Sequence, residues 1–174
     1  GRRWTPRQVE GDMGAEVAAI VPAAGTGQRL GGPIRKPFVS LSGQPLLTYC
    51  LKVLQDSPVI RWIVLVVRDG EQAKATTLLR RHRITKALAP CRGGRSRAES
   101  VARGFAALPD GADWILVHDG ARPCVSPQLI ERSVRAARRY GAVACGLPAT
   151  LTVKAVDRHG DVRRTIERDQ LWFV

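Results

Sequence analysis

The sequence contains no apolar run approaching membrane-spanning length, so nothing in it reads as a bilayer segment. Its four cysteines, Cys50, Cys91, Cys124 and Cys145, make no C-x-x-C pair. Neither a zinc site nor a disulfide framework is expected, and the thiols read as scattered, reduced and cytoplasmic. Aromatic residues are scarce: four Trp, three Phe and two Tyr in 174 residues leave little for stacking on nucleic-acid bases. Acidic residues are also few, 15 against 28 basic ones, for a net charge of +13. A basic field attracts anionic partners, and phosphorylated small molecules suit it as well as nucleic acid does. An arginine-biased but solvated surface would account for it equally. Methionine occurs only at Met13, and the GRRWTPRQVEGD before it lacks the apolar core of a secretion signal. Met13 is read as the natural start, with 1–13 a disordered extension and 14–174 the folded domain.

Two familiar phosphate-binding patterns are missing. The dinucleotide fingerprint needs G-x-G-x-x-G with an acidic residue about 20 positions later. Here Gly25, Gly27 and Gly31 are spaced one position too wide, and Asp56 comes too late. The P-loop needs Gly-Lys-Ser/Thr, whereas Pro33 follows Gly32. What is present is a run of apolar residues at 17–21, suited to a strand buried on both faces, which breaks at Pro22 into Ala23, Ala24, Gly25, Thr26 and Gly27. Small side chains there admit a ligand close to the backbone, and glycine can turn successive N–H groups toward one point. Arg29 and Lys36 add two cations. This is an anion site at the carboxyl end of a strand, where open α/β sheets bind ligands.

The rest of the chain alternates. A turn at Ser42 and Gly43 precedes a helix carrying Leu46, Leu47, Cys50, Leu51 and Leu54, stopped around Asp56 to Pro58. Buried strands are expected at 62–67, weakly at 84–88, at 114–118 and at 142–147. Between them lie a helix over about 71–83 capped by Asp69, one opened by a Ser96–Glu99 capping box, and one over about 127–140. Arg132, Arg135, Arg138 and Arg139 on the last read as a solvated face. Runs at 151–156 and 162–167, joined through Gly160, read as a hairpin arm over about 150–168. The pattern predicts a three-layer, Rossmann-like α/β domain with a mostly parallel sheet and a projecting β-arm.

Four strand ends then carry polar groups: 23–36, 93–100, 119–122 and 150–154. In a parallel sheet such ends share one edge. Gly93 and Gly94 are expected to offer backbone donors, with Arg95, Arg97 and Ser100 beside them, although a plain loop and a helix-surface serine would look the same. Asp119 suits hydroxyl groups or a magnesium ion, or simply caps a turn. His118 reads as a core histidine at a strand end before it reads as a base.

VPAAGTGQR at 21–29, Lys36, Gly93-Gly94 with Arg97 and Ser100, VHDGARP at 117–123, Thr152, and Glu167-Arg168 before Leu171-Trp172 form an ordered set. It resembles the 2-C-methyl-D-erythritol 4-phosphate cytidylyltransferases, from about residue 17 to the end. The resemblance implies transfer of CMP from CTP to the methylerythritol phosphate, with release of pyrophosphate, in non-mevalonate isoprenoid synthesis. It implies Mg²⁺ bound through the triphosphate, and a cytoplasmic homodimer that exchanges β-arms. By position, Ala23, Ala24, Gly25, Gly93, Gly94, Arg97 and Ser100 would hold the nucleotide. Gly25, Thr26 and Gly27 would wrap the triphosphate. Arg29 and Lys36 would be the catalytic pair, and Asp119, Arg122, Thr152 and Arg168 would seat the substrate.

The sequence departs from the family's pattern in places. Arg95 stands where an acidic residue beside the cytosine is common, which shifts base recognition toward backbone groups. Arg35-Lys36-Pro37 replaces the commoner Pro-Lys-Gln. The chain stops at Val174, short of a further strand, helix and late lysine, so a truncated chain is expected. Competing readings are a cytidylyltransferase for ribitol 5-phosphate or another polyol phosphate, a nucleotide-binding fragment without turnover, a dinucleotide-dependent oxidoreductase, and a basic nucleic-acid module. The failed fingerprint argues against the third, and the absence of a recognised motif against the last.

Overall fold

The structure is a computed structural model that describes residues 15–25 and 36–174. The expected extension over 1–13 and, within the first loop, Thr26, Gly27 and Arg29 lie outside the described residues. The chain divides into two compact units, one ending at Arg135 and one running from Ala136 to Val174.

The first unit is built on β1 (Val17–Pro22), β4 (Ile60–Val67), β5 (Cys91–Arg92) and β6 (Trp114–Val117), in the order β5-β4-β1-β6. Every pairing in this sheet is parallel, with Ala18 beside Trp62 on one side and Ile115 on the other. An inner strand covered on both faces must be apolar throughout, and Val17 to Val21 are at most 1% exposed. Alternate residues feed two cores. Val17, Ala19 and Val21 meet Leu47, Leu51, Leu54 and Ile130, while Ala18 and Ile20 meet Val64, Val66 and Leu108.

Between β1 and β4, a 3-10 turn (Lys36–Phe38) leads into β2 (Ser40–Leu41) and β3 (Gln44–Pro45). Ser42 and Gly43, with φ of 48° and 83°, make the tight turn that joins β2 to β3. Then α1 (Leu46–Asp56) buries Leu47, Cys50, Leu51 and Leu54, the spacing legible in the sequence. Helix α2 (Gln72–Arg81) follows β4. Asp69 makes no cap for it; its carboxylate pairs instead with Arg92 at 3.2 Å. The expected strand at 84–88 reduces to a single bridge, Ile63 beside Ala87. Only Lys86 and Leu88 share backbone hydrogen bonds with Ile63 there, and Arg83, at φ 54°, turns the chain just before.

Helix α3 (Arg97–Ala106) lies against the sheet through Gly104, where a Cβ would come within 2.6 Å of Ile20 Cγ2. Only glycine fits so close an approach. Strand β6 is half-buried, not fully buried as expected, because it borders the described sheet on one side. Helix α4 (Pro127–Tyr140) has the expected limits; it seats Ile130 and Val134 in the core, while Arg132, Arg135 and Arg139 face solvent.

In the second unit the expected strand at 142–147 does not form. Gly141, at φ 82°, ends α4, and the small residues after it stay exposed. Only β7 (Leu147–Pro148) pairs, antiparallel, with β10 (Trp172–Phe173). The hairpin is present as β8 (Val153–Val156) and β9 (Val162–Ile166), turning through Gly160 at φ 91°. Asp157 closes that turn by accepting from the N–H groups of His159 and Asp161.

Candidate active site

Because β1, β4, β5 and β6 run parallel, the loops that follow them leave from one edge of the sheet. The Ala23 N–H donates to Val66 O at 2.7 Å, and the Gly93 N–H to Val67 O at 2.7 Å. These bonds carry the sheet one residue past β1 and β5 and bring the two loops together. A Cβ on Gly93 would sit 2.3 Å from the Ala24 Cβ. Gly120, after β6, donates to Pro22 O at 3.1 Å, and a Cβ there would lie 3.3 Å from the Ala23 Cβ. Three of the four polar strand ends therefore converge on Ala23 and Ala24. Small residues stand at these positions because larger ones would collide.

The 93–95 loop is held by α3. Gly94 donates its N–H to Ser100 Oγ at 3.0 Å, and the Ser100 hydroxyl donates in turn to Ser96 O at 2.9 Å. Arg95 donates its N–H to Glu99 Oε2 at 2.9 Å. Arg103 donates from Nη1 to Gly93 O at 2.8 Å and pairs through Nη2 with Glu99. The N–H groups of Gly93 and Gly94, expected to face a ligand, are thus engaged within the protein. Ser100, 4% exposed, is a loop-holding residue here. The capping box is altered too: Ser96 accepts from the Glu99 N–H at 3.0 Å, but Glu99 reaches the Arg95 amide and not that of Ser96. The Arg95 N–H, helped by Arg103, holds the Glu99 carboxyl below its ordinary range.

The 118–122 loop is held by charge. Asp119 Oδ1 meets Arg97 Nε at 3.0 Å and Oδ2 meets Arg122 Nε at 3.4 Å, so one carboxylate links the start of α3 to the end of β6. Each carboxylate oxygen thus faces one guanidinium group. His118 is neither a core histidine nor placed as a base; its Nε2 lies 2.9 Å from Arg122 O, closing the loop on itself. Underneath, the Cys50 thiol donates to Leu47 O at 3.2 Å, and burial pushes it up to about 12, so it stays protonated. All four cysteines are free.

Lys36 is exposed at the head of its 3-10 turn. Thr152 and Arg168 belong to the second unit, where Arg168 Nη1 donates to Thr150 O at 2.8 Å and Thr152 is exposed beside β8. No group of three or more His, Cys, Asp or Glu side chains that could hold a metal occurs among the described residues. Glu99 and Arg103 were missed as site residues. Their i, i+4 spacing was the available signal, though it marks any surface helix equally.

The fold is that of a Rossmann-like nucleotidyltransferase domain, a parallel sheet with a basic, small-residue edge. The sequence pattern of the 2-C-methyl-D-erythritol 4-phosphate cytidylyltransferases matches residues 17–174. The enzyme of that name from Pelotomaculum thermopropionicum is 41% identical over 160 residues, covering 91% of this chain and 67% of the relative. Its counterpart from Dehalococcoides mccartyi is 39% identical, covering 91% and 69%. The crystal structure of 4-diphosphocytidyl-2C-methyl-D-erythritol synthase from Anaerococcus prevotii superposes with a TM-score of 0.78 at 28% identity, over 91% of this chain and 66% of that one. The Thermus thermophilus cytidylyltransferase gives a TM-score of 0.64 at 30% identity, over 91% and 68%.

The chain belongs to the 2-C-methyl-D-erythritol 4-phosphate cytidylyltransferase family, transferases that carry out CTP-dependent cytidylyl transfer in isoprenoid biosynthesis. It spans about two thirds of the length of these relatives, 67% and 69% of the two named enzymes.

Proposed function

We propose that this chain carries the nucleotide half of such a site and joins CTP to 2-C-methyl-D-erythritol 4-phosphate. The observation behind this is the convergence of the 23–25, 93–95 and 118–122 loops on one sheet edge, with Arg97 and Arg122 bridged by Asp119. A phosphate oxygen of the acceptor attacks the α-phosphorus of CTP, the new P–O bond forms, and the α–β bridging P–O bond breaks. Pyrophosphate leaves with the electron pair. No protein nucleophile is required, so catalysis rests on positioning and charge neutralisation.

In this reading Ala23, Ala24, Gly25, Gly93, Gly94 and Ser100 shape the nucleotide seat, and Thr26 and Gly27 wrap the triphosphate. Arg29 and Lys36 neutralise charge developing at the transferring phosphorus. Arg97 and Arg122 orient anionic groups, with Asp119 bridging the two guanidinium groups. Thr152 and Arg168, on the arm, seat the acceptor; arm exchange in a homodimer would bring them to the partner's site. With Asp119 already paired with Arg97 and Arg122, the residues suit Mg²⁺ carried on the triphosphate. When bound there, the ion supplies charge neutralisation to the departing pyrophosphate. The cytoplasm is the compartment that suits four free thiols.

The test is pyrophosphate release from CTP with methylerythritol phosphate, against ribitol phosphate as comparison acceptor. Lys36→Ala or Arg29→Ala should lower turnover roughly a hundredfold or more, the usual effect of losing one preorganised donor at developing charge. Near-normal turnover in both variants would defeat the assigned roles.

A further inference from the structure

Lys36 heads a 3-10 turn whose other residues are anchored. Pro37 is buried, and Phe38 packs against the core. Val39 closes the turn by donating its N–H to Lys36 O at 3.3 Å, and Val39 O accepts from the Leu46 N–H at 2.9 Å. The Phe38 ring also meets the Lys74 ammonium, which lies over it at 4.6 Å from the centroid. Lys74 comes from the first turn of α2, a helix fixed to the sheet through buried Ala75, Leu78 and Leu79. A helix start favours anions, because its free N–H groups carry partial positive charge. The first turn of α2 nevertheless has no acidic residue and holds a lysine. The aromatic face supplies the negative potential that this ammonium does not get from its own helix. Helix α2 opens just after β4 ends, at the carboxyl edge of the sheet. The contact therefore ties that edge to the turn bearing Lys36.

We infer that Lys74 is a positioning residue: its ammonium latches the Phe38 ring and so fixes the turn that presents Lys36 to the reacting phosphate. The inference deepens the CTP reading and rests on it. A cation that neutralises developing charge works best when it is held in place beforehand, and a small displacement of such a group lowers the rate. Lys74 acts through Phe38, two residues from Lys36, and not on the nucleotide. Lys74 is exposed, so the contact is weak and tunes the reaction without switching it.

The experiment is a double-mutant cycle on pyrophosphate release from CTP with methylerythritol phosphate, using Lys74→Met, Phe38→Leu and the two combined, with Lys74→Arg as the conservative variant. Amide hydrogen exchange at Val39 is read alongside, without nucleotide. Lys74→Met should lower kcat about two- to fivefold, the factor one exposed cation–π contact carries, and leave KM for CTP nearly unchanged. Lys74→Arg keeps a cation for the ring and should stay near wild type. In the Phe38→Leu background, Lys74→Met should have no further effect, because the two side chains act as one unit. The Val39 amide should exchange faster in Lys74→Met. An equal loss in both backgrounds, or a rise in KM for CTP at constant kcat, would mean that Lys74 meets the nucleotide directly, and overturns the latch. Unchanged Val39 exchange in Lys74→Met overturns it as well. Faster exchange at unchanged kcat overturns its role in the reaction. Exchange is scored at an exposed position, so a poorly folded Phe38→Leu does not decide the matter. A wild type that releases no pyrophosphate defeats the CTP reading and the kinetic role with it, while exchange still scores the latch separately.

Discussion

Two loops leave the same sheet edge and are secured in opposite ways. The 93–95 loop is tied by hydrogen bonds from α3 to its backbone, and Gly93 packs against the Ala24 methyl group. The 118–122 loop is tied by ion pairs and by the His118 ring reaching Arg122 O, with both arginine side chains 63% exposed. Hydrogen bonds to a half-buried backbone fix a shape, because leaving such groups unpaired is costly. Exposed ion pairs fix little, since water and salt screen them. One loop is built to hold a geometry and the other to hold a charge pattern that an anion can rearrange.

Breaking the packed loop should have the largest effect. Gly93→Ala would set a Cβ 2.3 Å from the Ala24 Cβ, both fixed to backbone. The expected loss is about 1–3 kcal/mol of stability, as overpacking usually costs, read by urea denaturation. Gly120→Ala presses first on the tip of the Leu47 side chain, at 2.8 Å, and lies 3.3 Å from the Ala23 Cβ, a wider approach than at Gly93. Its loss should be clearly smaller, and equal losses would erase the distinction between the loops.

The charged loop should tolerate more. Asp119→Asn removes both ion pairs but should change stability by less than about 1 kcal/mol, the range of exposed pairs. Its larger effect should fall on the salt dependence of nucleotide binding, measured by titration calorimetry at two ionic strengths. A stability loss beyond about 2 kcal/mol would mean that the Arg97–Asp119 pair is structural after all.

The smallest effect concerns pH. Glu99 has its folded-state pKa depressed below the ordinary 4.5, chiefly by the Arg95 N–H. A depressed acid contributes fully above its unfolded value and loses that contribution as pH falls through its folded one. Protection of the Arg95 amide should therefore be flat from pH 7 to about 5 and fall only below the ordinary carboxylate range. A fall already complete near pH 5 would show that another group closes the loop.

The sheet's central strand and the helices α1 and α4 were legible because each is decided locally. Val17 to Val21 form an unbroken apolar run, Leu47, Leu51 and Leu54 repeat at helical spacing, and Pro127 opens α4 where proline fits a first turn. The segment at 84–88 misled because β-forming residues there meet a partner at only one position, Ala87 beside Ile63. The segment at 142–147 misled for the same reason, since apolar character does not supply a neighbouring strand. At the site, the small-residue loops were legible as loops. What occupies their donors was not, because the Arg97–Asp119 pair and the Cys50 contact toward Gly120 join residues far apart in sequence. The Ser96 cap was readable, but the shift of Glu99 to the Arg95 amide depends on a backbone path that composition does not reveal.

The place of β1 in the sheet has a consequence for how the chain reaches this state. Among the described residues, the strand of this sheet that comes first in chain order is an inner one, and Ala18 must wait for Trp62 on one flank and Ile115 on the other. Until β6 emerges, a fully apolar strand has one edge open, and non-local parallel pairing of this kind closes slowly. The nascent chain is therefore most prone to stick to its neighbours during the interval between β4 and β6. A chaperone that shields short apolar segments would act on this protein in that window and have little to do once Trp114 has docked beside Val17.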